Sequence, residues 1–203
     1  MKSLSEIETT AKRASKAAGY SWGVSEEIGK SIRLLELFSL PGIKYLNDYF
    51  NERKNNKFEN LKLISEKNIS AHYPFCPIIL GVSFLDQVNK LEDIKNIEFK
   101  NVAYPLLLIP FLSRSSEIIG KKINVRLNEN QIRLNLNVNI SSDLIHDKFP
   151  KNAANFVVNF FENKDNFTEE EWKSLYKISE DTFVEESDSL KQGGAGAGLT
   201  DND

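Results

Sequence analysis

Apolar and polar residues follow two different rhythms along this chain, and the change from one to the other divides it. The opening rhythm is helical. Ser3 and Glu6 make a capping box, and Leu4, Ile7, Ala11, Ala14 and Ala18 follow at intervals of three and four, which predicts a first helix to about Ala18 with Gly19 as its stop. A second helix is predicted from about Ser25, with Ile28, Ile32, Leu35 and Phe38 on one face and Pro41-Gly42 as its end. Ile43, Leu46, Tyr49 and Phe50 suggest a third. Asn51 to Asn60 is nearly all polar and reads as a loop or solvated helix end, the best internal boundary.

The second rhythm has period two. Ile123, Val125 and Leu127 alternate with polar neighbours, Asn128-Glu129-Asn130 supplies a turn, and Ile132, Leu134, Leu136, Val138 and Ile140 alternate again, which predicts a β-hairpin with one buried face. Between the two regions, the apolar run Cys76 to Lys90 fits either a buried strand or a helix starting after Pro77, and we read it as a helix. Ile97 to Ile109 reads as extended, with an irregularity at Pro105. Pro110 to Ile119 has proline at the first helical position and Gly120 just past the end, so a short helix follows. Phe156 to Phe161 reads as a further strand. A last amphipathic helix starts at the capping box of Thr168 and Glu171, with Phe167 stapled to Trp172 and a stripe through Leu175, Ser179, Thr182 and Phe183, fraying near Ser187.

These elements give an α+β fold: an N-terminal helical unit, a mainly antiparallel sheet with packed helices, a C-terminal amphipathic helix and a Gly/Ala-rich tail. We expect one domain over residues 1–203, with the helical unit at 1–54, the α+β core at 61–166, the C-terminal helix at 167–192 and the tail at 193–203. The tail, Gly193 to Asp203, has almost no side chain to bury and must give up much backbone entropy to become ordered, so it is either a frayed end or a part fitted to a groove or partner.

Composition narrows the classes. A chain of 203 residues with 40% hydrophobic and 27% charged residues is globular. With 26 Lys and Arg against 29 Asp and Glu, the formal charge of -3 gives no reason to expect a nucleic-acid or anionic-membrane partner. The longest apolar stretch, Tyr104 to Leu112, holds two prolines and falls far short of the ~20 residues that span a bilayer. Cys76 is the only cysteine and the start of the chain is polar, which suggests a reducing, cytoplasmic setting.

Four stretches are candidates for chemistry. Gly19-Tyr20-Ser21-Trp22-Gly23 is read as a loop between helices. With Glu26, Lys30 and Arg33 on one helical face it could wall a small-molecule pocket, or Trp22 could simply plug the core while the charges pair along the helix. His72 and Cys76 would form a nucleophilic dyad if they met in space, but cysteine is more often a small buried hydrophobe. His72 and His146 are the only histidines, so no zinc set is complete and no metal site is expected, although a carboxylate-bound Mg²⁺ stays open. Ser113-Arg114-Ser115-Ser116, read as lying in a helix after a strand, could hold a carboxylate or phosphate through Arg114, or be an ordinary amphipathic surface. The polar hairpin face of Asn124, Arg126, Arg133, Asn135 and Asn137 could bind a polar ligand or merely face water, and it lacks the aromatic residues of a nucleic-acid platform.

The two ends carry a resemblance. Leu4-Ser5-Glu6-Ile7-Glu8, Ala18-Gly19-Tyr20-Ser21-Trp22-Gly23, Glu26-Glu27 and Gly29-Lys30 resemble the uncharacterised bacterial domain-of-unknown-function family 3726, as does the ending Gly194 to Asp203. Ala103 to Leu108 and Glu186-Ser187 are weaker supports. The resemblance implies that the tail is native sequence, and it brings no catalytic residues and no cofactor.

Two functions follow as expectations. The first, which we prefer, is a cytoplasmic accessory or assembly subunit whose tail docks on a protein partner or a second copy through Gly194, Gly196, Gly198, Leu199, Asp201 and Asp203. A reaction centre needs a concentration of polar groups that the sequence does not display. The second is a small-molecule, carboxylic-acid binding protein or enzyme. There Trp22, Glu26, Arg33, Arg114 and Glu186 are the ligand-binding candidates, Arg114 or Arg33 holds the acid, and Glu8, Glu26 or Glu186 serves as base.

Overall fold

A computed structural model describes residues 2–135, 139–142, 149–162 and 164–182. They fall into two compact units, one within residues 1–163 and the other within residues 164–203. The fold is α+β. In the first unit three helices come first: α1 (Leu4–Ala17), α2 (Trp22–Leu37) and α3 (Gly42–Glu52). The Ser3 side chain accepts the Glu6 N–H and caps α1, half of the predicted capping box, while the Glu6 carboxylate accepts from Lys2 instead. The second helix begins three residues earlier than its apolar spacing indicates, because Ser21 is its N-cap and accepts the Val24 N–H. Between them Gly19 adopts φ +94°, a conformation that costs only glycine little, and turns Tyr20 inward. Close packing of α1 on α2 depends on Gly29, where a Cβ would sit 2.8 Å from the Glu8 carbonyl oxygen.

The sheet follows as β1 (Lys67–Ile69), β2 (Asn96–Ala103), β3 (Lys122–Leu127), β4 (Asn130–Asn135), β5 (Asn139–Ser142) and β6 (Asn152–Phe161), in the spatial order β1-β2-β6-β3-β4-β5. Among the described strand pairs only β1–β2 is parallel. Its inner face holds Ile97, Phe99, Ile123, Val125, Leu127, Ile132, Leu134, Phe156 and Val158, all buried. Two helices complete this core: α4 (Pro77–Leu91), the helix expected there, and α5 (Ile109–Ile119). Phe84 of α4 stacks on Phe160 of β6 with ring centroids 6.2 Å apart.

Two expectations need correction. The extended run ends at Ala103, not Ile109: Pro105–Leu108 is a 3-10 turn that leads directly into α5, because Pro105 cannot donate to a strand ladder. The predicted ten-residue second strand of the hairpin is two strands, β4 and β5, paired with each other in the register Leu134 to Ile140 and Ile132 to Ser142. Because each such pair joins residues of the same parity, Ile132, Leu134 and Ile140 keep one face whether the chain runs straight or folds back.

In the second unit α6 (Glu169–Ser179) has the full Thr168–Glu171 capping box, and Phe167 stacks on Trp172 at 5.6 Å as the staple predicts. The helix gives way to a 3-10 turn at Glu180–Thr182, ahead of Ser187. Phe183, Glu186 and the tail calls at Gly194, Gly196, Gly198, Leu199, Asp201 and Asp203 lie outside the described residues, as do Leu136, Asn137, Val138 and His146.

Candidate functional site

Among the described residues a cleft of about 780 Å³ opens where four segments meet. The α1–α2 turn contributes Gly19, Tyr20 and Ser21, the start of α2 Val24, and α3 with its C-cap Tyr49 and Arg53. The polar stretch Asn56 to Asn60 forms one rim, and Ala71 to Tyr73 with Cys76 and Ile79 closes the site. The last two segments are held together by strand-like bonds: Glu59 N–H donates to the Pro74 carbonyl at 2.9 Å and Cys76 N–H to the Glu59 carbonyl at 2.8 Å. Phe75 then pairs with the end of β2, its N–H donating to the Asn101 carbonyl at 2.8 Å. Cys76 is thereby pinned at the first turn of α4, where its Sγ accepts the Ile79 N–H at 3.4 Å as the N-cap.

The floor is a polar triangle. The hydroxyls of Tyr20 and Tyr49 lie 3.1 Å apart, and the Tyr49 Oη is 3.0 Å from Cys76 Sγ, with all three residues buried. Burial first, and the electrostatic influence of the neighbouring Cys76 second, hold both phenols well above the ordinary tyrosine range. They therefore stay protonated at physiological pH and do not serve as bases. Arg53 stands at the mouth: its guanidinium lies 4.5 Å from the Tyr20 ring centroid and its Nη1 donates to the Ala18 carbonyl at 2.8 Å. Two contacts fix this cation and leave further N–H donors in the planar fork. Lys57 and the exposed His72 line the same cleft, Glu59 is the acid among its lining residues, and the positive end of the α4 dipole points the same way.

The earlier candidates are distributed differently. His72 and Cys76 do line one cleft, but the bonds of Cys76 go to the two phenols and to Ile79, so the imidazole–thiol dyad is not formed. Trp22 neither plugs the core nor sits in a loop; it lies on the first turn of α2, 57% exposed, with the Lys12 and Lys16 ammonium groups 5.9 and 5.4 Å from its ring. Tyr20, two residues earlier, takes the buried position. Glu26 pairs with Lys12 and Arg33 with Glu8 at 3.1 Å, so these charges join α2 to α1, while Lys30 pairs with Glu27 at 3.0 Å. The Lys12 hydrogen bond holds the Glu26 carboxyl below its usual range.

Arg114 is bound to Glu27. Burial pushes the Glu27 carboxyl up, but its hydrogen bonds from Arg114 and Lys30 outweigh that and hold it below the ordinary range. Glu26 and Arg114 do share a groove, of about 560 Å³, with Glu27 and Asp86. Three carboxylates against one guanidinium oppose the entry of an acid there. Nor does the Ser113-Arg114-Ser115-Ser116 run start a helix beside a strand. It is the second turn of α5, its three serines are fully buried, and Ser115 and Ser116 hydroxyls donate to the carbonyls of Phe111 and Lys121.

Sequence reasoning missed Arg53, Lys57 and Tyr49. The available signal was the cluster of Arg53, Lys54 and Lys57 beside Phe58 within a stretch read only as a boundary.

The model of a family described as a protein of unknown function, domain-of-unknown-function family 3726, matches residues 2–75. The family resemblance is thus borne out over α1 to α3, β1 and all the cleft-lining residues except Cys76 and Ile79. No curated protein and no solved structure matches the chain.

Proposed function

We propose that this protein binds a small carboxylic acid in the cleft of Tyr20, Tyr49, Arg53 and Cys76. The observation that carries the reading is the Arg53 guanidinium, fixed by Tyr20 and Ala18 at the mouth of a cavity floored by two neutral phenols. A carboxylate would take the free edge of that guanidinium, with Lys57 as second cation, while Val24, Phe58 and Ile79 cover its apolar part. No helix of the described residues is long and apolar enough to cross a membrane; a bacterial cytoplasmic location is part of the proposal and rests on the single cysteine and polar start of the sequence.

Calorimetric titration with a panel of small carboxylic acids tests this. At least one acid should bind wild type, and Arg53→Gln should lose about 10- to 100-fold in affinity, the worth of a charge-assisted hydrogen bond, while Arg114→Gln binds as wild type does. A panel without binders, or an Arg53→Gln variant of unaltered affinity, refutes the assignment.

A second reading keeps the tail as the functional part: the C-terminal unit docks on a protein partner. It is supported by α6, which exposes Trp172 at 50%, Leu175 at 63% and Ile178 at 65% ahead of the tail. Contiguous exposed apolar surface of this kind is a feature of contact sites. Truncation after Thr182 with recovery of bound proteins tests it, and unchanged partners count against it.

A further inference from the structure

The outer face of the sheet differs in charge from the rest of the chain. Strand parity places Lys67, Lys100, Lys122, Arg126 and Arg133 on the side opposite the core, with Glu98 as the acid among these strand positions. All five cations are exposed. Among the described residues none of the five takes part in an ion pair, and Lys100 donates to the Asn155 side chain. Cross-strand pairing sets Arg126 beside Gln131 and Arg133 beside Asn124, so the two guanidiniums are diagonal neighbours on adjacent strands. A row of amides, Asn96, Asn159 and Asn124, runs across the three central strands toward Arg133.

A chain of net charge -3 that gathers five cations on one face must hold its excess of acid elsewhere. Residues 183–203 carry Glu185, Glu186, Asp188, Asp201 and Asp203 against Lys191 alone. We infer that the outer sheet face receives this acidic C-terminal segment from a second copy of the chain; the inference rests on the second reading above and uses no residue of the cleft. The dimensions agree. Six strands at about 4.8 Å span about 24 Å, whereas 21 extended residues reach up to about 70 Å. The Gly193 to Gly198 stretch, lacking large side chains, lets the backbone lie close to the Asn and Arg side chains. A nucleic acid is the less suitable polyanion, because Val157, Asn159 and Asn124 occupy the centre of the face where stacking aromatics would be needed.

Sedimentation of the full chain at 50 and 500 mM salt is the test. Wild type should dimerise at low salt and dissociate at high salt. Arg126→Glu/Arg133→Glu and a chain ending at Thr182 should both be monomeric. The neutral pair Arg126→Gln/Arg133→Gln, which is least prone to perturb folding, should weaken the dimer about tenfold, as two exposed charge pairs would. Circular dichroism and thermal melting check that each variant is folded. A monomeric wild type overturns the inference. So does a dimer lost on truncation but kept by the Arg variants, which would leave tail docking intact at another surface. If truncation changes neither association nor partners, both this inference and the second reading fall. Salt-dependent capture of a single-stranded oligonucleotide by wild type, without dimerisation and lost in the Glu variants, assigns the face to nucleic acid instead.

Discussion

Gly81→Ala probes the contact between α4 and α5 that places the Cys76 end of α4 in the cleft. Gly81 lies inside α4, so helix propensity alone favours alanine by about 1 kcal/mol. Packing opposes it. A Cβ on Gly81 would stand 2.4, 2.5 and 2.9 Å from Cδ2, Cγ and Cε2 of Phe111, where ordinary contact begins at 3.4 Å. The ring is 0% exposed and cannot swing into solvent, so the helices must separate or Phe111 must leave its rotamer. Overpacking of this kind costs about 1–3 kcal/mol, and three ring atoms inside contact distance put it at the upper end. Subtracting the propensity gain leaves a net loss of about 2 kcal/mol, or a Tm lower by roughly 4–8 °C for a domain of this size. Urea unfolding followed by circular dichroism measures it. Phe111→Leu in the Gly81→Ala background should recover at least about 1 kcal/mol relative to the sum of the single changes, since the clash and its relief share one site. A Gly81→Ala variant as stable as wild type, or more stable, refutes the tight contact and the reasoning built on it.

Tyr49→Phe removes the hydroxyl that joins Tyr20 to Cys76 and should cost about 1–2 kcal/mol in urea unfolding; combined with Cys76→Ala it should cost less than the two changes added, and strict additivity would mean that the triangle is not a unit. Glu27 is held below the ordinary carboxyl range when folded, so its contribution to stability is present above its unfolded pKa near 4.5 and is lost as pH falls through the lower folded value. Unfolding measured from about pH 6 to pH 3 should therefore show a smaller acid loss for Glu27→Gln than for wild type, and identical profiles would remove Glu27 from the account.

The helices were legible because their signals are local. Ser3 with Glu6, Pro110 with Gly120, and Thr168 with Glu171 each fix a terminus within a few residues, and the structure keeps all three. Period two is also local, yet it records only the face of each residue. The reversal between β4 and β5 preserves parity, so nothing in the alternation distinguishes a fold-back from a straight strand. The serines of α5 show a similar degeneracy: a hydroxyl that satisfies a carbonyl inside a buried helix and one that awaits an anion at a helix start are the same residue type.

The cleft was illegible for a different reason. Its floor joins Tyr20 to Cys76 across 56 positions and Tyr49 to Cys76 across 27, and no short motif spans such distances. Its rim comes from Asn56 to Asn60, where Phe58 packs against the core and its four neighbours are polar. A segment largely released from the core can present Arg53 and Lys57 at its edge without burying a charge, and a rigid frame on either side can aim them. That frame consists of α3, ending at Glu52, and Phe75, bonded into the end of β2. The absence of hydrophobic rhythm that marked this stretch as a boundary is thus the property that lets it form the mouth of a polar site. Breaks in periodicity between two ordered elements are where charged and aromatic neighbours such as Arg53 and Phe58 merit a functional reading first.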